Sequence, residues 1–111
     1  MARAQIPVVA FVTFPMAATG DAQAFRKILE DAGPEYTQLP GLRRKYFLAG
    51  NGLAGGVYEW DCRTSAEAWF DTAWYEQMTT RYGARPEVQL FDSPAIANGV
   101  THCLEIFISK D

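Results

Sequence analysis

The sequence predicts a single α+β domain, spanning 1–111, whose elements follow the order β-α-β-β-α-β. Apolar side chains alternate or run continuously over 6–14, 42–49, 55–61 and 88–91, which is typical of strands. Residues 25–32 and 64–82 instead carry apolar side chains at helical spacing. Between the second and third predicted strands, Gly50-Asn51-Gly52 is a strong hairpin signal. At 111 residues, the chain has room for one core.

The first third of the chain predicts a strand and then a helix. The run from Ile6 to Phe14 is apolar on both faces, so we expect a central strand covered on both sides. The run also imitates a short signal peptide, but its Val and Phe content, with Pro7, favours the strand. Thr19-Gly20-Asp21 contains residue types that are favoured at the N-cap of a helix. Gly33-Pro34 is expected to interrupt the helix, with a short turn then running to Leu39.

The second half predicts a helix, a strand and a further extended segment. Thr64 and Glu67 have the spacing of a capping box that opens the second helix, and Gly83 is expected to end it. Ser93-Pro94 breaks the fourth strand, and 100–108 is predicted to form an extra C-terminal strand. The whole order, apart from that last strand, is the split βαβ order of ferredoxin-like folds.

Composition limits the partners and the chemistry. The net charge is −3, no charged block reaches five residues, and the basic cluster Arg43-Arg44-Lys45 would alternate between strand faces, so nucleic acid is not expected as a partner. No stretch approaches the ~20 apolar residues of a membrane span. The two cysteines form no C-x-x-C motif, and with a single histidine they do not complete a zinc site. We therefore expect no metal and no membrane, with two free thiols in the cytoplasm.

One face of the hairpin is the candidate binding surface. A tight loop at Asn51-Gly52 pairs residues whose numbers sum to 103 and so fixes which side chains share a face. Gly56 lies on that face and leaves a gap that a ligand could fill. Aromatic rings beside cations suit a flat aromatic or anionic small molecule, although a plain core or a dimer interface would use the same residues. The shared face carries Arg43, Lys45, Phe47, Tyr58 and Trp60.

The second helix and the C-terminal segment add three candidates. Trp69 and Trp74 lie on or beside the apolar stripe of the helix and are predicted to line the same pocket, unless they belong only to the core. His102 is the one side chain whose usual pKa lies near neutrality, so it is a candidate proton shuttle. A lone histidine that is structural or exposed is the alternative.

Several motifs in order resemble one family. They are Leu39-Pro40-Gly41-Leu42, the strand 55–60 with its Gly-Gly-x-Tyr-x-Trp pattern, Ser65-Ala66-Glu67-Ala68, and 88–92. Together with Lys45, they resemble the YdhR-type proteins, a branch of the dimeric α+β-barrel superfamily related to antibiotic-biosynthesis monooxygenases. The resemblance covers residues 11–92 and leaves the C-terminal segment unmatched.

The resemblance implies a homodimer in which two sheets face each other as a barrel, and a small-molecule cavity between each sheet and its helices. It also implies cofactor-independent oxidation of a phenolic or enolisable substrate, with no metal or flavin. Lys45, Tyr58 and His102 are then the candidate catalytic side chains. The same fold also hosts other chemistry, so a non-catalytic binding protein and a cofactor-free cyclase or isomerase remain alternatives.

Overall fold

A computed structural model of the chain describes residues 5–15 and 22–108. The helix-start residues Thr19-Gly20-Asp21 lie outside this part. The elements are strands and helices in α+β order, which confirms the predicted class. They are β1 (Val8–Pro15), α1 (Ala22–Tyr36), β2 (Leu42–Gly50), β3 (Leu53–Trp60), α2 (Arg63–Trp69), α3 (Thr72–Tyr82), β4 (Glu87–Asp92), β5 (Ala95–Asn98) and β6 (Cys103–Ile106).

Four strands form one antiparallel sheet in the order β2-β3-β1-β4, an arrangement compatible with a ferredoxin-like fold. β1 is central, as predicted. Its even-numbered side chains from Val8 to Phe14 are buried under the helices. Among the described residues nothing covers the second face as expected, since Phe11 is 40% exposed there. The sheet therefore has one covered face and one open face.

The hairpin of β2 and β3 has the register that the sequence predicts over most of its length. Asn51 and Gly52 take positive φ values of 56° and 74°, as a tight hairpin turn requires. Lys45 pairs with Tyr58, and the register holds from Arg44 to the turn. A bulge then shifts the pairing, so that Leu42 rather than Arg43 lies opposite Trp60.

The helices differ from prediction in two places. α1 continues through Pro34 to Tyr36, so the expected interruption at Gly33-Pro34 is wrong. The predicted single second helix is two helices, because Phe70 leaves helical geometry and Asp71 caps a new helix by accepting a hydrogen bond from the Trp74 N–H at 2.8 Å. The capping box expected at 64–67 does not form. Gly83 ends α3 with a left-handed φ of 77°, as predicted.

The C-terminal segment forms two strands where one was expected. β5 and β6 pair as a separate antiparallel hairpin that does not join the main sheet. Every residue of β6 is exposed. No helix in the described residues is long and apolar enough to cross a membrane.

Aromatic side chains dominate the core between the sheet and the helices. Trp60 is 1% exposed and stacks on Tyr58, with their planes 4° apart. Phe70, between α2 and α3, packs edge-on against Tyr58 and Trp74 at centroid distances of 5.0 and 4.9 Å. This packing fixes the wall of the candidate site described next.

Candidate functional site

A cavity lies between the covered face of the sheet, α1 and α3. Its volume is about 60 Å³, which is well above the ~10–15 Å³ that one water molecule needs and well below the ~300–1,000 Å³ of pockets for drug-sized ligands. The wall is mostly aliphatic and aromatic. Its polar side chains are Tyr36, Lys45, Tyr58, Trp74, Arg81 and Tyr82.

All the polar side chains of the wall can donate a hydrogen bond, and two of them are cations. Within the described residues, no Asp, Glu or His side chain lines the cavity. The environment is therefore electropositive as well as apolar. A small ligand that accepts hydrogen bonds, above all an anion, complements it better than a cation does.

Lys45 extends from the middle of β2 into an aromatic cage. Its Nζ lies 3.6 Å from the ring centre of Tyr36, 4.1 Å from that of Phe47 and 4.5 Å from that of Tyr58. Ring faces attract an ammonium group, so the cage gives the lysine some compensation for lost water. Among residues 5–15 and 22–108, Lys45 forms no ion pair.

Burial changes the protonation of this lysine. It lowers the pKa of Lys45 from its usual 10.5 to about 7, because the charged form loses solvation. The rings act in the opposite direction, since they favour the ammonium. Lys45 nevertheless releases its proton far more easily than a surface lysine. At neutral pH the cavity therefore contains an amine that can accept a proton and, once charged, can hold an anion.

Gly56 makes room for the Lys45 side chain. A Cβ added at Gly56 would lie 2.7 Å from Lys45 Cε and 2.8 Å from the carbonyl oxygen of Tyr46. The gap that the sequence suggested for a ligand is thus occupied by the lysine stem. Gly56 contributes to the site indirectly, because the lysine reaches the cage only by crossing over it.

The two tyrosines of the cage stay in their neutral form. Burial raises the pKa of Tyr58, and the adjacent Tyr36 raises it further. Burial likewise raises the pKa of Tyr36. Both hydroxyls therefore stay protonated at neutral pH and can donate a hydrogen bond to a ligand in the cavity.

Trp74 contributes a largely apolar surface to the wall. The residue is 6% exposed, and its Nε1 is buried with no hydrogen-bond partner among the described residues. An unpaired buried donor is costly, so this nitrogen lowers the stability of the packed core. Trp74 therefore belongs to both the core and the cavity wall.

Trp60 and Trp69 lie outside this cavity. They line a separate open groove with Pro40 and Cys62, and their indole N–H groups also lack partners in the described chain. Trp69 still touches the cage from behind, edge-on to Tyr36 at 5.9 Å. The structure thus brings Lys45, Phe47, Tyr58 and Trp74 together and leaves these two tryptophans as supporting residues.

Arg43 and His102 do not reach the cavity. The bulge in β2 turns Arg43 to the open face, where its Nε lies 3.8 Å from Glu59 Oε2. The expected shared face for Arg43 is therefore wrong. His102 lies in the turn between β5 and β6 with a φ of 62°, and it is exposed. The strand expected across His102 is wrong because the chain reverses there.

The sequence interpretation missed the contribution of Tyr36. It follows Phe25, Leu29 and Ala32 at helical spacing, so an unbroken α1 would have placed it on the same apolar face. Because the helix was expected to break at Pro34, Tyr36 was not assigned to this apolar face. Tyr36 is the ring nearest to the Lys45 amine.

The fold and site together define an α+β protein with a small aromatic cavity around one lysine. Across the described ranges, no group of three or more metal-ligating side chains is placed to hold a metal ion. No protein-family model matches the chain, and a search of curated proteins finds no match. The resemblance to YdhR-type proteins therefore remains a hypothesis based on the motifs quoted above.

Proposed function

We propose that the cavity binds a small phenolic or enolisable molecule and that Lys45 takes its acidic proton. In its most specific form, the proposal is a cofactor-independent monooxygenase of the YdhR type. The observation that carries it is the position of Lys45: its amine is enclosed by three rings, its pKa is lowered to about 7, and no described carboxylate neutralises it.

The chemistry needs one proton acceptor and several donors. The neutral Lys45 amine accepts a proton from the phenol or from the carbon next to a carbonyl group, and becomes an ammonium. That ammonium, with the Tyr58 hydroxyl, then stabilises the substrate anion. The anion transfers electrons to O₂, one oxygen atom enters the substrate as a carbonyl that replaces a CH₂ group, and the other leaves as water.

The small volume of the cavity limits the substrate. About 60 Å³ suits a molecule of one ring or less, and a polycyclic phenol would need the wall to move. α1 is the wall best able to move, because none of its residues with described burial is buried and Ile28 is 39% exposed. We therefore expect single-ring or smaller substrates to bind faster than polycyclic ones.

The open face of the sheet supports the homodimer part of the proposal. Phe11 is 40% exposed, Tyr46 56% and Phe91 54%, and all three project from the same face. Aromatic residues concentrated on one face are typical of a surface that another protein covers. A second copy packed face to face would bury them and give the dimeric α+β barrel that the resemblance implies.

Oxygen uptake tests the leading proposal. Wild-type protein, Lys45→Met and the surface control Lys27→Met are compared on a panel of single-ring and polycyclic phenols, with product mass measured in parallel. We expect uptake by wild type and Lys27→Met, and at least a ~10²-fold loss in Lys45→Met, the lower range for a lost general base. No uptake by the wild type across the panel would refute the monooxygenase.

The alternatives predict different outcomes in the same experiment. Product formed without oxygen would identify a cofactor-free cyclase or isomerase. A ligand that copurifies with the protein and is never converted would identify a binding protein. Lys45 is needed for ligand recognition in all three cases, so equal affinity of wild type and Lys45→Met would refute the site itself.

A further inference from the structure

We propose a second activity for Lys45: its amine forms an imine with a small 2-oxo acid that enters the cavity. The proposal goes beyond the proton-transfer role described above, because here the lysine is a nucleophile that becomes covalently bonded to its ligand. It rests on four features of the cavity: an unpaired amine, aromatic walls, two tyrosines whose rings contact the amine, and a cation at the wall.

The position of the amine suits attack on a carbonyl group. Lys45 Nζ lies within 4.5 Å of three ring centres and forms no ion pair in the described chain, so no carboxylate holds the amine as a salt. Desolvation leaves a large fraction of it neutral near pH 7. A desolvated lysine in an apolar pocket is a recognised way to activate an amine as a nucleophile.

The residues around the amine provide for the remaining steps. The lone pair of Nζ attacks the carbonyl carbon, a C–N bond forms, and the carbonyl electron pair moves to oxygen, which takes a proton. The nitrogen then releases a proton, which the hydroxyl group takes up as it leaves as water, and a protonated C=N bond remains. No electrons are gained or lost overall. The first proton comes from water, while Tyr36 and Tyr58, whose rings contact the amine, keep their hydroxyl protons at neutral pH and can donate hydrogen bonds to the oxygen as it gains charge.

The rings also favour the product. A protonated imine carries the positive charge of the ammonium that it replaces, and the same ring faces stabilise it. Formation of the imine therefore leaves the charge of the apolar site the same as with the ammonium. The cage excludes bulk water, which slows hydrolysis of the C=N bond.

The size and charge of the cavity select the ligand. About 60 Å³ admits a compound of a few carbon atoms. The exposed Arg81 lines the cavity, and no described residue of the wall carries a negative charge. A carboxylate next to the reacting carbonyl would accept hydrogen bonds from this guanidinium group. This is the structure of a 2-oxo acid.

Borohydride trapping tests the proposal. Full-length protein is incubated with pyruvate at pH 7, reduced with sodium cyanoborohydride, and digested for peptide mass mapping. An imine at Lys45 becomes a stable secondary amine, heavier by the mass of pyruvate less one oxygen atom. Lys27 in the same molecule is the internal control, because it is a surface lysine paired with Asp31 at 3.4 Å.

We expect Lys45 to be labelled at least 10-fold faster than Lys27, because burial lowers the pKa of Lys45 and leaves more of its amine neutral at pH 7. Lys45→Arg should lose this label and keep the slow labelling of Lys27. Equal rates at Lys45 and Lys27 in the wild type would overturn the proposal without need of any variant. Equal labelling of Lys45 by acetone and by pyruvate would overturn the 2-oxo acid assignment.

The result is independent of the monooxygenase proposal. Oxygen uptake without imine trapping would leave Lys45 as a base only. Trapping without oxygen uptake would support the imine and remove the oxidation. Failure of the imine proposal and failure of the monooxygenase proposal can therefore be told apart in the same protein preparation.

Discussion

Replacing Lys45 with methionine should stabilise the protein at low pH. Methionine has a similar unbranched length and carries no charge, so it fits the aromatic cage without the cost of desolvation. A fall in pKa from 10.5 to about 7 corresponds to about 5 kcal/mol against the charged form, at about 1.4 kcal/mol per pKa unit. Attraction of the charged amine to the rings offsets part of this cost. We therefore expect Lys45→Met to raise the free energy of unfolding by up to about 5 kcal/mol at pH 6.

The gain should disappear as the pH rises. Between about pH 7 and 10.5, the unfolded chain binds a proton at Lys45 that the folded chain does not bind. Stability of the wild type therefore increases with pH across this range, whereas Lys45→Met lacks this dependence. The full difference in unfolding free energy between Lys45→Met and the wild type should be present below pH 7. It should fall below about 1 kcal/mol by pH 10.

Urea unfolding followed by tryptophan fluorescence measures this difference at pH 6, 8 and 10, at one fixed protein concentration. Lys27→Met is the matched control. Its side chain is 77% exposed in an ion pair with Asp31, and its effect should stay within about 0.5 kcal/mol at each pH. If Lys45→Met is less stable than the wild type at pH 6, or if the difference is independent of pH, the lysine is not desolvated.

Three further predictions test other parts of the structure. Gly56→Ala should cost about 1–3 kcal/mol in urea unfolding, because its Cβ would lie 2.8 Å from the backbone carbonyl oxygen of Tyr46 as well as 2.7 Å from Lys45 Cε. Asp71→Ala should cost about 1 kcal/mol through the lost helix cap, and Asp71→Ser should restore most of it. Phe11→Lys should shift the light-scattering mass toward the 12.4 kDa monomer; an unchanged mass, or a monomeric wild type, would contradict the proposed dimer.

The hairpin was the most predictable part of the site. Two residues with positive φ, Asn51 and Gly52, set the turn, and the period of two then places Lys45 opposite Tyr58. Prediction failed at Arg43, where one extra residue in β2 turns the side chain to the other face. A bulge depends on how the strand meets its neighbours, and no local motif marked this one.

The helical part was less predictable because local rules competed with packing. Pro34 weakens a helix, yet α1 continues through it to Tyr36, which packs edge-on against Phe47 and Tyr58. Asp71 is a good cap residue, but it lies within an apolar pattern that reads as one continuous helix. The hairpin side of the cavity could be predicted from the sequence, whereas the α1 side could not.

The contact between Lys45 and Gly56 has a consequence for how this protein can change in evolution. A side chain at position 56 would collide with the lysine stem and also with the backbone carbonyl oxygen of Tyr46. A smaller residue at position 45 would relieve the first collision and leave the second. Position 56 should therefore stay glycine among relatives that keep this hairpin register, whatever residue stands at 45.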